Sequence, residues 1–341
     1  MSVLTSPPNR PPATIPAPPS PRHLLGLEGA DPEWLRGIIA RARELLPHAS
    51  GLRPPLAILQ GRTVATLFFE PSTRTRTSFT LAAQRLGAGV VDLPVASSSV
   101  GKGESIADTG RNLHALGVHA IVIRSAMSGA AHVLARAVPI PVINAGDGRH
   151  EHPTQGLLDI AALSEALRRP DPLDLGGLHV VIVGDIISSR VARSAVHGLS
   201  ALGARVTLVG PPAMAPRSLE LLVPGTRVRH ELDPELPDAD AVMMLRIQFE
   251  RHTDALSAGD LAPRTAPIAS AREYRALYAL TAERAARLRP NTVVMHPGPI
   301  NRGIELDADV ADSARSIILR QVTWGVAVRA AVLGECVAPI G

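Results

Sequence analysis

Residues 63–76 read TVATLFFEPSTRTR, an apolar run that ends in a proline and is followed by hydroxyl and guanidinium side chains. The run from Thr63 to Phe69 is typical of a strand buried on both faces, because polar and apolar residues do not alternate in it. Ser72 has the residue type of a helix N-cap, and the helix predicted after it stops at Gly87. The stretch therefore predicts a strand, a turn and a helix, the repeating unit of an α/β fold.

The same alternation of strand and helix continues on both sides of this stretch. Asp31 and Pro32 begin a predicted helix over 32–46. Further strands are predicted at 90–93, 120–124, 141–144, 179–185, 205–210, 239–245 and 292–296. Further helices are predicted at 105–116, 153–168, 189–202 and 312–335, and 249–276, which has little apolar period, is predicted to be a surface segment. The pattern indicates an α/β protein with two doubly wound, open parallel-sheet domains.

The domain boundaries follow from composition and from the order of these elements. Residues 1–22 contain eight prolines, which favour extended conformations and cannot form a core, so we expect a disordered tail there. We expect one domain to comprise 23–152 together with 312–341, and the other to comprise 153–311.

Composition excludes several classes of function. The chain has 341 residues, of which only four Phe, two Tyr and two Trp are aromatic, so the stacking platforms of single-strand-binding proteins are lacking. The net charge is only +4 and the arginines form no basic run, which argues against a nucleic-acid partner. A single cysteine, Cys336, rules out an intramolecular disulfide and a cysteine-rich zinc site. Because neither a membrane span nor a secretory signal is evident, we expect a cytoplasmic protein without a membrane partner.

Polar clusters stand where the predicted strands end. They are Glu70-Pro71-Ser72, Arg124, Gly184-Asp185, Arg246 and His296-Pro297. Open α/β sheets bind ligands at the carboxyl ends of their strands, so these clusters predict one active site in the cleft between the two domains.

The segment from Ser72 to Thr77 is the strongest candidate for an anion site. It begins a helix, whose first backbone N–H groups and positive dipole end attract anions, and it adds hydroxyls and guanidinium groups suited to a phosphate. The alternative is that Ser72 only caps the helix and the arginines are solvated. Two familiar nucleotide motifs are missing: Gly103 follows Lys102 where a P-loop needs Ser or Thr, and the segment after Gly184 lacks the dinucleotide glycine spacing.

Lys102 is the only lysine, against 34 arginines, and it lies between two glycines. A lysine offers a compact ammonium on a flexible stem, which an arginine fork does not. Lys102 therefore either serves a site that needs this geometry or is a residue without a specific role that remained when the other lysines were lost.

Three strings resemble the signature series of aspartate and ornithine carbamoyltransferases: FFEPSTRTR at 68–76, HPTQ at 152–155 and HPGP at 296–299. The resemblance runs in order from about residue 50 to the C-terminus. The loop Gly101-Lys102-Gly103-Glu104 and the string MLRIQFER at 244–251 resemble the aspartate branch. The ornithine branch has His-Cys-Leu-Pro and Ser-Met-Gly segments, and this chain has neither.

The resemblance implies roles for individual residues. The phosphate of carbamoyl phosphate would be held by Ser72, Thr73, Arg74 and Thr75, and the carbamoyl group by Arg124, His152, Gln155 and the backbone of Gly298 and Pro299. L-Aspartate would be bound by Arg190, Arg246, Gln248 and by Lys102 from the neighbouring subunit of a homotrimer. The catalytic residues would be Arg74, Thr75, Arg124 and His152, with no metal and no cofactor. The domain with 23–152 would bind carbamoyl phosphate, and the domain 153–311 would bind aspartate.

The chemistry implied is transfer of a carbamoyl group from carbamoyl phosphate to the α-amine of aspartate in pyrimidine synthesis. The alternatives are an ornithine-type carbamoyltransferase, against which Arg246 argues, and a non-catalytic paralogue that binds carbamoyl phosphate. His152 could instead cap a helix, and Arg190 and Arg246 could be structural; however, a cation in the first turn of a helix or after an apolar strand is costly unless an anion compensates it. The other histidines show no metal-ligand spacing. An assembly with a regulatory or dihydroorotase-type chain stays open.

Overall fold

The computed structural model describes residues 23–93, 104–168, 173–247 and 270–338. The Pro-rich segment 1–22, Lys102, Gln248 and residues 249–269 lie outside these ranges, so the predictions made for them are not addressed by the structure.

The first sheet has four parallel strands in the order β2-β1-β3-β4. Its strands are β1 (Thr63–Phe68), β2 (Gly89–Leu93), β3 (Ala120–Ser125) and β4 (Val142–Asp147). The strand β1, predicted from the apolar run, lies in the middle, where both of its neighbours bury it. The helices within this unit are α1 (Pro32–Ala49), α2 (Thr73–Arg85), α3 (Ile106–Ala115) and α4 (Ala130–Ala137).

The second sheet has five parallel strands in the order β7-β6-β5-β8-β9. Its strands are β5 (His179–Val183), β6 (Arg205–Val209), β7 (Arg227–Arg229), β8 (Ala241–Met244) and β9 (Val293–Met295). The helices of this unit are α6 (Arg190–Ala201), α7 (Ala271–Tyr278), α8 (Ala282–Ala286) and α9 (Ala308–Ala311), and short 3₁₀ turns cover Arg217–Leu221 and Asp233–Glu235. Within the described ranges, no helix combines the length and the apolarity needed to cross a lipid bilayer.

Two buried helices connect the sheets: α5 (Pro153–Leu167) and α10 (Ile318–Val337). Helix α10 packs on α1, α2 and α5, and α5 packs in turn on α6 of the second unit. Apolar residues of both sheets and both helices form one continuous buried cluster. The predicted fold, two parallel-sheet α/β units, is therefore confirmed, and the helix after His152 joins the two units.

Two predicted boundaries were wrong. The last helix begins at Ile318 and not at residue 312, because Ser316 forms a parallel bridge with Val294 of β9: the amide of Val294 donates to the carbonyl of Arg315, and the amide of Ile317 donates to the carbonyl of Val294. The end of the predicted surface segment 249–276 is helical, since Ser270 caps α7 and Tyr274 and Tyr278 are buried in the second core.

Candidate active site

A pocket of about 470 Å³ opens between the carboxyl ends of the two sheets. Every predicted site residue that the structure describes lines it: Ser72, Thr73, Arg74, Thr75, Arg124, His152, Gln155, Arg190, Arg246, Gly298 and Pro299. These residues come from six separate stretches of the chain, and the topology of the sheets brings them together. Lys102 and Gln248 are outside the described ranges.

The start of α2 forms one end of the pocket. Ser72 occupies the N-cap position, but its hydroxyl makes no capping hydrogen bond, and the first turn of the helix contains no acidic residue. The hydroxyl and the first N–H groups of the helix are therefore available to an anionic ligand, which the helix dipole favours. Arg76, the second arginine of the string, pairs with Asp92 at 3.1 Å and does not line the pocket.

Arg74 is held against the loop that follows β9. A Cβ atom on Gly298, whose φ is +66°, would lie 1.9 Å from Nη1 of Arg74, so only glycine permits this approach. The loop is fixed by His296: its Nδ1 accepts from the Gly298 amide at 2.7 Å, which leaves the ring proton on Nε2 to donate to Glu305 at 3.2 Å. Burial lowers the pKa of Arg74 from its ordinary value. An anion in the pocket would favour the charged form of this guanidinium.

Glu70, two residues before the N-cap of α2, joins two of the arginines that line the pocket. Its Oε1 accepts from Arg124 at 2.9 Å and from Arg190 at 2.5 Å, and its Oε2 accepts from Arg190 at 3.1 Å. Burial raises the pKa of Glu70, but hydrogen bonds and charge from Arg190 and Arg124 outweigh burial, so its pKa lies below the ordinary value. Gly146 has φ of +110°, and a Cβ atom there would lie 2.9 Å from Nε of Arg190. The backbone at Gly146 therefore passes close to this side chain. Arg190 is thus fixed at the first position of α6 with a carboxylate as its partner.

Arg246, at the end of β8, forms the remaining cationic wall. Its Nε donates to Oδ1 of Asn301 at 3.5 Å, and Nδ2 of Asn301 donates to the carbonyl of Ile247 at 3.0 Å. Asn301 therefore connects the segment after β8 to the segment after β9. No sequence signal singled out Asn301, because one asparagine in a loop is unremarkable in pattern.

His152 faces the pocket from the N-cap of α5. Neither ring nitrogen has a hydrogen-bond partner among the described residues, although the ring is 3% exposed. Burial, followed by the charges of Arg124, Arg329 and Arg190, lowers the pKa of His152 well below its ordinary value. The imidazole is therefore neutral at neutral pH and offers one N–H donor to a ligand.

The predicted residue Gln155 belongs to a buried polar group whose other members the sequence did not reveal: Asp159, Gln321 and Arg329, which we call the back wall. Nε2 of Gln155 and Nε2 of Gln321 both donate to Oδ1 of Asp159, at 2.9 and 2.7 Å. Burial raises the pKa of Asp159 to about 7 and lowers that of Arg329 to about 9. A charged residue inside the apolar helix α10 was the available signal for Arg329, and the i, i+4 spacing of Gln155 and Asp159 was the signal for Asp159.

One group in the described ranges has the arrangement of metal ligands: His132, Asp147 and His150, whose candidate ligand atoms lie within 4.8 Å of one another. The spacing of the histidines in sequence had not indicated it. Oδ2 of Asp147 accepts from the Gly129 amide at 2.7 Å, Oδ1 accepts from Asn144 at 2.8 Å, and both receive Nδ1 of His150. The hydrogen bond to Asp147 raises the pKa of His150, and the bonds from Gly129 and Asn144 give Asp147 a structural role in the loop before His152.

Family models match both halves of the chain. Residues 22–165 match the carbamoyl-P binding domain, and residues 176–336 match the Asp/Orn binding domain, of aspartate/ornithine carbamoyltransferases. The chain belongs to the aspartate/ornithine carbamoyltransferase family. The resemblance in sequence is confirmed, and the match extends over nearly all of the described residues.

Relatives within this family carry a consistent name. The chain is 51% identical over 317 residues to an aspartate carbamoyltransferase catalytic subunit of Myxococcus xanthus, covering 93% of this chain and all of the relative. It is 48% identical to the catalytic subunit of Gluconacetobacter diazotrophicus, covering 92% of both chains. Among solved structures, it is similar to aspartate transcarbamoylase from Trypanosoma cruzi in complex with carbamoyl phosphate and aspartate: the TM-score is 0.78 and the identity 28%, with 94% of this chain and 98% of that chain covered.

Proposed function

We propose that the protein is a carbamoyltransferase that transfers the carbamoyl group of carbamoyl phosphate to the α-amine of L-aspartate. The observation that carries this proposal is the distribution of charge in the pocket. One helix N-terminus with Arg74 suits a phosphate, while Arg190 and Arg246 provide two separate cations across the cleft. A dicarboxylate acceptor matches two separate cations, whereas ornithine presents an amine chain in place of the second carboxylate. Relatives at about half identity, all named for the aspartate reaction, support the same conclusion.

Carbamoyl phosphate is assigned to the end formed by α2. Ser72, Thr73, Arg74 and Thr75 bind its phosphate through hydroxyls, backbone N–H groups and one guanidinium. Its carbamoyl oxygen lies against Arg124, His152 and Thr75. Its amide nitrogen faces Gln155 and the backbone of Gly298 and Pro299. These roles are supported by the open Ser72 hydroxyl and by the neutral, unpartnered ring of His152.

Aspartate is assigned to the opposite side of the cleft. Arg190 binds one carboxylate, and Arg246 with Gln248 binds the other. Glu70 orients Arg190 and reduces the net positive charge that would otherwise repel within the cluster. In this proposal the α-amine lies between the carboxylate-binding arginines and the carbamoyl carbon.

The reaction then requires charge stabilisation and no covalent intermediate. The amine attacks the carbamoyl carbon, and negative charge builds on the carbamoyl oxygen facing Thr75, Arg124 and His152. Positioned donors at such an oxygen are worth about 2.7–4 kcal/mol each. The carbon–oxygen bond to phosphate breaks, the phosphate leaves with both electrons of that bond, and one of its oxygens accepts the proton lost by the amine. Arg74 and the start of α2 favour its departure because they bind the added charge.

Assembly and domain limits are proposed on the same basis. The domain with residues 23–152 and 312–341 would hold carbamoyl phosphate, and residues 153–311 would hold aspartate. A homotrimer in the cytoplasm, serving pyrimidine synthesis, would bring Lys102 of one subunit to the aspartate side of the next. The mass of the native particle tests the trimer. Lys102→Arg tests the need for an ammonium group: most activity should be lost while the mass of the native particle is unchanged. Near-normal turnover would show that Lys102 has no catalytic role.

The direct test mixes the purified protein with carbamoyl phosphate and either L-aspartate or L-ornithine. We expect N-carbamoyl-L-aspartate and no citrulline. Arg74→Gln should lower kcat/KM by at least about 100-fold, because it removes a charge-assisted contact to phosphate. Arg76→Gln, in the same turn but outside the pocket, is the matched control and should stay within about threefold of the unmodified protein. Formation of citrulline, or binding of carbamoyl phosphate without any product, would overturn the proposal.

A further inference from the structure

A chain of hydrogen bonds runs along the wall of the pocket and joins three separate elements. The His296 amide, after β9, donates to Oε1 of Gln321 on α10 at 3.1 Å. Nε2 of Gln321 donates to Oδ1 of Asp159 on α5 at 2.7 Å, and Nε2 of Gln155 donates to the same oxygen at 2.9 Å. Asp159 and Gln321 are 1% and 2% exposed, so water does not compete for these bonds.

The direction of every bond in this chain follows from its first member. A backbone amide can only donate, so Gln321 must turn its carbonyl oxygen to His296 and its amino group to Asp159. Asp159 must then present an acceptor there, and a single carboxylate oxygen accepts two donors readily. Gln155, which meets this same acceptor oxygen, must also turn its amino group inward.

Gln155 has its other end at the pocket, which it lines. A carboxamide has one donor end and one acceptor end, so fixing the amino group at Asp159 leaves the carbonyl oxygen for a ligand. An oxygen in that position accepts a hydrogen bond from N–H and gains nothing from a methyl group. A buried polar group left without its partner costs free energy, so a ligand that cannot donate is rejected.

We infer that Asp159 is a positioning residue which, through Gln155, makes the pocket select an acyl phosphate bearing an NH₂ group over one bearing a methyl group. The inference rests on the proposed function in one respect, namely that the neutral end of the ligand is a carbamoyl group. Asp159 itself does not touch the ligand.

The buried guanidinium of Arg329 supports the acceptor role of Asp159. Arg329 is 4% exposed, its Nη1 donates to the Ser78 hydroxyl at 2.8 Å, and its charge opposes the burial that raises the pKa of Asp159 to about 7. Gly325 makes room for it, because a Cβ atom there would lie 2.7 Å from Nη1 of Arg329. An ionised carboxylate can accept from both carboxamides and has no proton with which to reverse either of them.

The test uses two stable ligands that differ only at the selected position: phosphonoacetamide, with NH₂, and 2-oxopropylphosphonate, with CH₃. Calorimetry on the full chain gives the ratio of their dissociation constants. We expect a preference of at least about 10-fold for phosphonoacetamide in the unmodified protein, as for a hydrogen bond made in a desolvated site. Asp159→Ala should reduce the preference to about twofold or less by weakening phosphonoacetamide alone, because the acceptor that orients Gln155 is gone.

Further variants keep the test decisive if Asp159→Ala does not fold. Gln155→Met changes the pocket surface and should remove the preference for phosphonoacetamide to the same extent. Asp159→Asn retains an acceptor oxygen and should therefore keep most of this preference. Adding Gln155→Met to Asp159→Ala should cost nothing further.

Three results would overturn the inference. Asp159→Ala could weaken the affinity for both ligands equally, which indicates a merely structural role. The preference could be unchanged in Gln155→Met, or the unmodified protein could bind both ligands equally well. These binding measurements do not depend on turnover. If the protein binds with the expected preference but forms no carbamoyl-aspartate, the proposed function fails and the positioning role stands.

Discussion

Two carboxylates are associated with the pocket, and the protein holds them in opposite ways: Glu70 lines the pocket, whereas Asp159 contacts Gln155, which lines it. Glu70 accepts three hydrogen bonds from the guanidinium groups of Arg124 and Arg190, and its pKa lies below the ordinary value. Asp159 is buried deeper, accepts from two uncharged carboxamides, and has a pKa raised to about 7. Glu70 is thus paired with positively charged groups, whereas Asp159 is paired with the dipoles of neutral carboxamides.

The difference corresponds to the ligand groups proposed for each side. Where a ligand carboxylate is expected, Glu70 organises cations and stays ionised. Where a neutral amide is expected, Asp159 organises carboxamides that act through hydrogen-bond direction. Of the two partners of Glu70, Arg190 is assigned to aspartate and Arg124 to the carbamoyl oxygen. Changes at Arg190 and at Asp159 therefore test the two groups separately.

Arg190→Gln is the change with the largest expected effect. It removes the guanidinium that Glu70 orients, and loss of one member of a buried, hydrogen-bonded charge pair costs about 2–5 kcal/mol. The KM for aspartate should therefore rise by about 30-fold or more, while phosphonoacetamide affinity changes by less than about threefold. Steady-state kinetics and calorimetry give both values, with the exposed Arg227→Gln as the control. Equal weakening of both ligands would show that the two sides are not separate.

Glu70→Gln should have a smaller effect of the same kind. A carboxamide of nearly equal size replaces the carboxylate, so Arg190 loses two charge-assisted hydrogen bonds but keeps its surroundings. We expect the KM for aspartate to rise by about 10-fold, because a hydrogen bond to a charged group contributes about 1.5–3 kcal/mol. A fall in that KM would mean that Glu70 competes with the substrate for Arg190.

Asp159→Asn should alter the pH dependence of stability more than activity. The folded pKa of Asp159 is raised to about 7 from 3.8, so the folded state binds the proton more tightly than the unfolded state. Stability that depends on this group is present at low pH and is lost as pH rises through 7. Relative to Asp159→Asn, the unmodified protein should gain about 2–3 kcal/mol of unfolding free energy between pH 8 and pH 5.

Thermal or denaturant unfolding across this pH range measures the difference. Glu165→Gln is the control on the same helix. Hydrogen bonds from Arg320 lower the pKa of Glu165, so its contribution changes only at pH values below that range. A flat difference between pH 8 and pH 5 for Asp159→Asn would contradict the raised pKa.

The sequence predicted the side of the pocket that depends on local pattern. Strand β1, the start of α2 and the clusters at strand ends follow from apolar runs and residue types that neighbour one another in sequence. The grouping of Ser72, His152, Arg190 and Arg246 in one pocket followed because parallel sheets bring the carboxyl ends of their strands together.

The back wall could not be predicted in this way. Gln321 and Asp159 are 162 residues apart, and Arg329 and Ser78 are 251 apart, so no local pattern records their contact. Likewise, the role of Gly298 depends on the side chain of Arg74, which approaches from the other sheet unit. The late start of α10 has the same kind of cause, since the bridge between Ser316 and Val294 of β9 holds the residues before Ile318 outside the helix.

We propose that one cleft between the two sheets binds both substrates at once. Amide hydrogen exchange tests this proposal when it is read by mass spectrometry with and without a bisubstrate analogue that joins a phosphonate to aspartate. We expect protection to increase together at the start of α2, at the start of α6 and in the loop at 296–299. Protection confined to residues 23–150, with α6 and the 296–299 loop unchanged, would contradict a shared site.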